Sequence, residues 1–239
     1  EVRSLDTGAI DEECTRLEQA AAGAFRETFL TVPSPGIIAA AMANSHYPTL
    51  EDYVHAVADA LSVEYRRVVE RGHVLQIDAP DLAMEAHGSF AGRRADFLSF
   101  VELVVAAINR AVTGLAPDRI RLHVCWGNYG GPHTQDIPVA ELLPRLYQAQ
   151  VGGLLLSMAN PRHEHEHREL ARQPLPDGWL LAAGVIDVTT NYVEHPEVVA
   201  DRIERIAAAV GDPSRVLACT DCGFDTSAGS SQVAPDVAW

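Results

Sequence analysis

A strict alternation of two residue patterns constrains this chain more than any other feature. Short runs of apolar, often β-branched residues take turns with longer stretches whose apolar residues recur every three or four positions. The runs at 25–32, 73–78, 120–124, 153–158, 179–187 and 216–220 read as strands, and the stretches at 50–71, 96–112, 138–150 and 196–210 read as helices. In the stretch 50–71, Val54, Val57, Ala58, Leu61, Tyr65, Val68 and Val69 share one face. Thr49 with the acidic residues after it marks the start of that helix, and Gly72 marks its end. Breakers close the first two strands, Pro33-Ser34-Pro35-Gly36 and Pro80. The run 153–158 is apolar throughout, as a strand covered on both faces of a parallel sheet must be.

Strands alternating with helices predict a parallel sheet with the helices outside it. A doubly wound open sheet and an eight-stranded barrel both satisfy that pattern. Polar residues decide between them, because they gather just after the strands: Asp78, His123 and Cys125, Asn160, Asp187, Asp221 and Cys222. A barrel brings all strand ends to one mouth, whereas an open sheet collects only those beside its switch point. The even spread therefore predicts a (β/α)8 TIM barrel. Six of its strands are legible, which places the first ones upstream of Glu1 or outside the residues represented. No internal repeat divides the chain, so residues 1–239 are expected to form a single barrel domain, incomplete at the N-terminus. The Ser/Gly-rich stretch 227–235 reads as a mobile loop.

Composition excludes several functions. With 18 basic and 33 acidic side chains the net charge is −15, which opposes binding to a phosphate backbone. The chain contains no lysine, so neither a Walker phosphate loop nor a lysine Schiff base is available to it. No apolar run approaches the ~20 residues that span a bilayer, and no secretory segment opens the chain, so a cytoplasmic location is expected. Four cysteines in 239 residues are not a disulfide framework. In a reducing compartment they are core thiols, metal ligands or nucleophiles.

His123 and Cys125 sit two apart at the end of a strand and so point the same way. Cys222 follows a strand three further along and can complete a set of one imidazole and two thiolates, a zinc site with an open position. Spacing alone leaves this reading beside a simpler one, in which all three are buried core residues.

The stretch His123-Val124-Cys125-Trp126-Gly127-Asn128-Tyr129, with Gly131-Pro132-His133 behind it, resembles the cobalamin-independent methionine synthase superfamily, and within it the single-barrel members related to epoxyalkane:coenzyme M transferase. Four further stretches agree, in family order: Gln76-Ile77-Asp78, the segment from Ala159 to Glu166, Gly184-Val185-Ile186-Asp187 with Thr189-Thr190-Asn191, and Thr220-Asp221-Cys222-Gly223-Phe224. The resemblance implies a β/α barrel and a zinc ion that holds a substrate thiol as thiolate, which then attacks a folate methyl group or an epoxide carbon. It implies small-molecule partners, a thiol and an alkyl or methyl donor, with no nucleic acid and no membrane. A helix-faced barrel of this kind is also expected to self-associate.

Of the family's His, Cys, Glu and Cys ligands, three map onto His123, Cys125 and Cys222. The position of the Glu is Ser157 here, a poor ligand because its hydroxyl is neutral. Three outcomes follow: a site of three protein ligands and an open position, a substitute such as His163 or Glu166, or a barrel without metal or reaction. The first is favoured, since two thiolates and an imidazole are already a good soft set. A metal-retaining lyase or hydrolase is the alternative chemistry.

The resemblance also assigns Asp78, Asn160 and Asp187 to the reaction and Asp78, Trp126, Asn160 and Arg162 to substrate. Asp78 would hold a substrate amino group, against a plain reading as a helix cap. Asp187 and Asp221 carry the same plain reading, or else orient a ligand histidine. Asn160 and Arg162 would hold an anionic group, unless Arg162 pairs with a nearby Glu. Trp126 and Tyr129 wall the pocket or pack the core. The alternating tract of His163, His165 and His167 reads as a solvated helix face, and Cys14 and Cys219 read as core.

Overall fold

The computed structural model describes residues 1–129, 131–224 and 232–239. Six strands, β1 (Phe29–Pro33), β2 (Val74–Asp78), β3 (Ile120–Val124), β4 (Gly153–Leu156), β5 (Leu180–Ile186) and β6 (Val216–Thr220), form one sheet. Every adjacent pair is parallel, and the order in the sheet is the order in the chain. A doubly wound sheet reverses its order at a switch point; this one never does, so the strands form an arc of a barrel.

The pleat sorts side chains onto two faces. Leu75, Ile77, Leu122, Val124, Leu154, Leu156, Leu181 and Ala183 point outward, and each is fully buried. Their cover comes from α3 (Leu50–Glu70), α5 (Arg94–Ala111) and α6 (Val139–Leu146) in the best-packed part of the molecule. Each large apolar side chain buried there contributes roughly 1.5–3 kcal/mol. The opposite face holds Thr31, Gln76, Arg121, Leu155, Ala182 and Cys219, all bordering one cavity of about 730 Å³. A single cavity touched by all six strands requires the sheet to curl around it. The sheet edges β1 and β6 pair with no further strand among the described residues.

Most predicted elements recur within a few residues. The 25–32 strand begins only at Phe29, the 138–150 helix stops at Leu146, and the 153–158 strand stops at Leu156. The Pro33–Gly36 breaker also starts a helix, α2 (Pro35–Ala41). Ser34 Oγ accepts from Ile37 N at 2.9 Å, and Pro35 sits where its missing N–H costs nothing. The short α4 (Asp81–Met84) follows Pro80, and α1 (Gly8–Ala21) packs against α3, with Cys14 fully buried between them. The periodicity predicts none of these three helices. The His-rich tract forms a 3-10 turn at Glu164–Arg168 and then α7 (Glu169–Arg172). It is a solvated face only in part: His165 is exposed, but His163 and Glu166 are buried. After α8 (Pro196–Val210), the expected loop at 227–235 lies outside the described residues up to 231, and α9 (Pro235–Ala238) follows.

Candidate metal centre

The strand registers build the site. Asp78 and His123 are paired positions at the ends of β2 and β3. The Asp78 carboxylate oxygen Oδ1 lies 2.7 Å from His123 Nδ1, which fixes the ring's direction and places its proton on Nδ1. In the neutral ring, the form that binds a metal, Nε2 then carries the lone pair. It is buried and has no hydrogen-bond partner. Cys125, two residues on, projects the same way, and one donor atom each of His123, Cys125 and Cys222 lies within 4.8 Å of the others. In a flat sheet β3 and β6 would stand about 14 Å apart, three spacings of ~4.8 Å. The curl of the barrel brings their ends together.

The charges agree with this proximity. Burial pushes the His123 imidazole down, but the Asp78 carboxylate and the Cys222 sulfur outweigh it and bring its pKa up to about 9. A hydrogen bond from the Cys125 thiol and the nearby His123 lower the Cys222 pKa, while the same hydrogen bond and burial raise that of Cys125. Without a metal, Cys222 is therefore the thiolate of the pair.

A clamp positions Cys222. Asp221 Oδ1 accepts from the backbone N–H groups of Met158 and Ala159, and Oδ2 from that of Asn160, all at 2.8 Å. These bonds tie the segment after β6 to the segment after β4. Burial pushes the Asp221 pKa up to about 6 against those bonds. The clamp fits only because β5 has a glycine beneath it: a Cβ on Gly184 would lie 2.0 Å from Asp221 Oδ1 and 2.8 Å from its Cα.

The other predicted residues fall as follows. Ser157 is buried and donates to the Asp221 carbonyl at 2.9 Å, so its hydroxyl is already engaged. His163 and Glu166 bond each other at 2.9 Å, away from the cluster, and do not replace the missing ligand. Asp187 Oδ1 accepts from Thr189 N and Oγ1, closing a local turn rather than orienting His123. Asn160 Oδ1 accepts from Arg162 N and Nε, which occupies both side chains with each other; no Glu pairs with Arg162 among the described residues. Trp126 does not wall the cavity. It is buried, donates from Nε1 to the Ile137 carbonyl and stacks on His163 at 3.9 Å. Cys219 borders the cavity instead of the core.

Arg121 is a residue that the sequence reading missed. It lies in the cavity, over the Phe29 ring at 4.0 Å, with Nε donating to Gln76 Oε1 at 2.7 Å. No carboxylate pairs with it among the described residues. The signal was an Arg two residues before His123 in the same strand, and so on the same face.

No protein-family model matches the chain. Known proteins do. The 2-hydroxypropyl-CoM lyase of Xanthobacter autotrophicus is 28% identical over 205 residues, covering 75% of this chain and 50% of that one. A methionine synthase of Saccharolobus islandicus is 29% identical over 198 residues, covering 82% and 51%, and one of Saccharolobus solfataricus matches to the same extent. The chain is related to the cobalamin-independent methionine synthase superfamily. It spans about half the length of the curated relatives it matches. The fold agrees: a B12-independent methionine synthase from a Shewanella species, solved with selenomethionine, superposes with a TM-score of 0.71. It covers 100% of this chain and 63% of that one at 20% identity. The six strands are thus part of a TIM barrel. Among the described residues no helix is long and apolar enough to cross a membrane.

Proposed function

We propose that this barrel domain is a zinc-dependent transferase that activates a thiol substrate as thiolate and alkylates or methylates it. The observation that carries the reading is the buried, unpartnered Nε2 of His123, aimed at two cysteine sulfurs while Asp78 holds the other ring nitrogen. An imidazole so held, with two thiols, is a donor set that suits zinc. His123, Cys125 and Cys222 would hold the ion. When bound, zinc supplies the positive charge that lowers a thiol's pKa and keeps it as the nucleophile.

The chain's own residues do the rest. Asp78 fixes the His123 tautomer and, half-exposed beside the cavity, can also meet a polar group of the substrate. Asp221 fixes the Cys222 segment through three backbone bonds. Ser157 contributes no charge, so the set is one carboxylate poorer than in the family pattern and leaves a position for the incoming thiol. The cavity, about 730 Å³, has the size of a small-molecule site. Its cation is Arg121, which suits a carboxylate or sulfonate on the substrate better than Arg162 does, since Arg162 turns to Asn160. Asn160 and Asp187 act as supports for the loops at the mouth. We place the protein in the cytoplasm as an enzyme acting on small molecules.

A second reading has a specific basis. The neutral Ser157 leaves any bound ion more positive and its open position free for water, which favours carbon–sulfur lyase or hydrolase chemistry. Metal analysis of the purified chain and of Cys222→Ser tests both readings. Zinc content that falls by one ion per chain in the variant supports the centre, and unchanged metal content in Cys222→Ser refutes it. Thiol consumption in the presence of an alkyl donor, against turnover driven by water alone, then separates the two chemistries.

A further inference from the structure

A second cluster of ligating side chains lies in the loops around β3. His87, after α4, and His133 and Asp136, between β3 and α6, each bring a donor atom to within 4.8 Å of the other two. His133 Nδ1 is 3.1 Å from Asp136 Oδ2 and 3.2 Å from Oδ1. His87 Nδ1 is 2.9 Å from Asp136 Oδ1. That second contact is short but out of line for a hydrogen bond, and the His87 nitrogen is buried without a partner.

Counting protons shows what is missing. His163 lies on the far side of Asp136, with Nε2 2.9 Å from Oδ2 and Nδ1 2.9 Å from Glu166 Oε2. Carboxylates only accept, so both nitrogens carry protons and His163 is an imidazolium. Burial pulls its pKa down, but Asp136 and Glu166 outweigh burial and raise it. His133 likewise places Nε2 3.2 Å from the Tyr129 carbonyl oxygen and Nδ1 3.1 Å from Asp136 Oδ2. His87 completes the convergence: its buried Nδ1 lies 2.9 Å from Asp136 Oδ1 and makes no hydrogen bond. A carboxylate thus stands between two imidazole rings, and a nitrogen of one of them is left unsatisfied. A cation in that space would take a lone pair from each ring and an oxygen from Asp136.

We propose that His87, His133 and Asp136 form a second divalent-cation site, with two nitrogens and one oxygen, for a borderline ion such as Zn²⁺, Co²⁺ or Ni²⁺. Asp136 also borders a cavity of about 300 Å³ that gives the ion a route in. Tyr129 stacks on His133 with ring centroids 4.2 Å apart and covers the other side. The backbone of His133 is left-handed, at φ 42°, a strained state that surrounding contacts must hold. The site's structural consequence is local. It pins the loop that begins with Trp126, whose ring rests on His163.

The test is a Co²⁺ titration of the metal-free chain. The expected stoichiometry is two ions. One gives the near-ultraviolet charge-transfer band of a thiolate ligand, and the other adds only weak visible bands. His133→Asn keeps a residue tolerant of the left-handed backbone and should bind one ion, with the thiolate band intact. Cys222→Ser should show the complementary loss. Wild-type chain that takes up a single, thiolate-bound Co²⁺ overturns the proposal whether or not any variant folds. So does a folded His133→Asn that still binds two.

Discussion

Replacing Gly184 by Ala puts the clamp on Cys222 to a direct test. The new methyl group would lie 2.0 Å from Asp221 Oδ1 and 2.8 Å from Asp221 Cα. A backbone atom is among the clashing partners, so a side-chain rotation cannot relieve the contact. Either β5 and β6 separate locally or the Asp221 carboxylate leaves its three N–H donors. Overpacking of this kind costs about 1–3 kcal/mol, and a hydrogen bond to a charged acceptor contributes about 1.5–3 kcal/mol. Partial relaxation keeps these from adding in full, so the expected destabilisation is about 3–5 kcal/mol. It should appear as a lower urea midpoint. Cys222 follows Asp221 directly, so the same change should also weaken metal binding, by the 10- to 100-fold typical of lost supporting contacts, as read by competition with a chromogenic chelator. Gly153→Ala is the control. Its Cβ would lie 2.7 Å from the Leu180 carbonyl oxygen, where β4 and β5 begin and far from the mouth. It should lower stability while leaving metal affinity alone. The reasoning fails if Gly184→Ala stays within 1 kcal/mol of the parent, or if both variants lose metal affinity equally.

Asp78→Asn should lower zinc affinity about 10- to 100-fold with little change in stability, because the lost partner of His123 is 40% exposed. Equal affinity in a chelator competition would show that Asp78 does not orient the ligand. In the metal-free protein, iodoacetamide at pH 6 should label Cys222 before the other cysteines, because its pKa is lowered while those of Cys14, Cys125 and Cys219 are raised. Uniform labelling, read by mass spectrometry of the peptides, would contradict the pairing. Metal-free stability should also depend on pH through His123. Its folded pKa, about 9, stands above the reference 6.5, so the contribution is fully present below 6.5 and is lost as pH rises through 9. It amounts to at most about 3 kcal/mol and is shared with the Cys222 thiolate. A melting temperature that is flat from pH 6.5 to 9.5 would refute it.

Architecture was legible because it rests on local patterns. Alternation of apolar runs with helical periodicity runs along the chain itself, and Ile120–Val124, Pro196–Val210 and Val216–Thr220 fall where the residues predict them. The unpredicted helices began with signals of the opposite kind. At α2 the residues Pro33 to Gly36 look like a stop, yet Ser34 caps a helix and Pro35 occupies its first turn. A breaker and a helix start share the same residue types, and only the following turn tells them apart.

The site divides along the same line. His123 and Cys125 belong together because strand residues two apart share a face, and that relation lies within one segment. What Asp78, Asp187 and Asp221 each do depends on strand register, which one segment does not contain. All three are acids just after strands, and from the sequence they are interchangeable. Register makes Asp78 the partner of His123, a bulge near Gly184 and Ile186 and a bare glycine seat Asp221 under three amides, and Asp187 is left to a turn. Arg121 and Arg162 exchanged places for the same reason. Arg162 stands in the motif but bonds Asn160 beside it, whereas Arg121 stands in a strand and reaches the cavity because the sheet curls. In a barrel, then, a chemical residue's role follows from the strand it sits beside more than from the motif it sits in. Gly184→Ala and Asp78→Asn probe that lateral relation, one by forcing two strands apart and the other by removing the group that crosses between them.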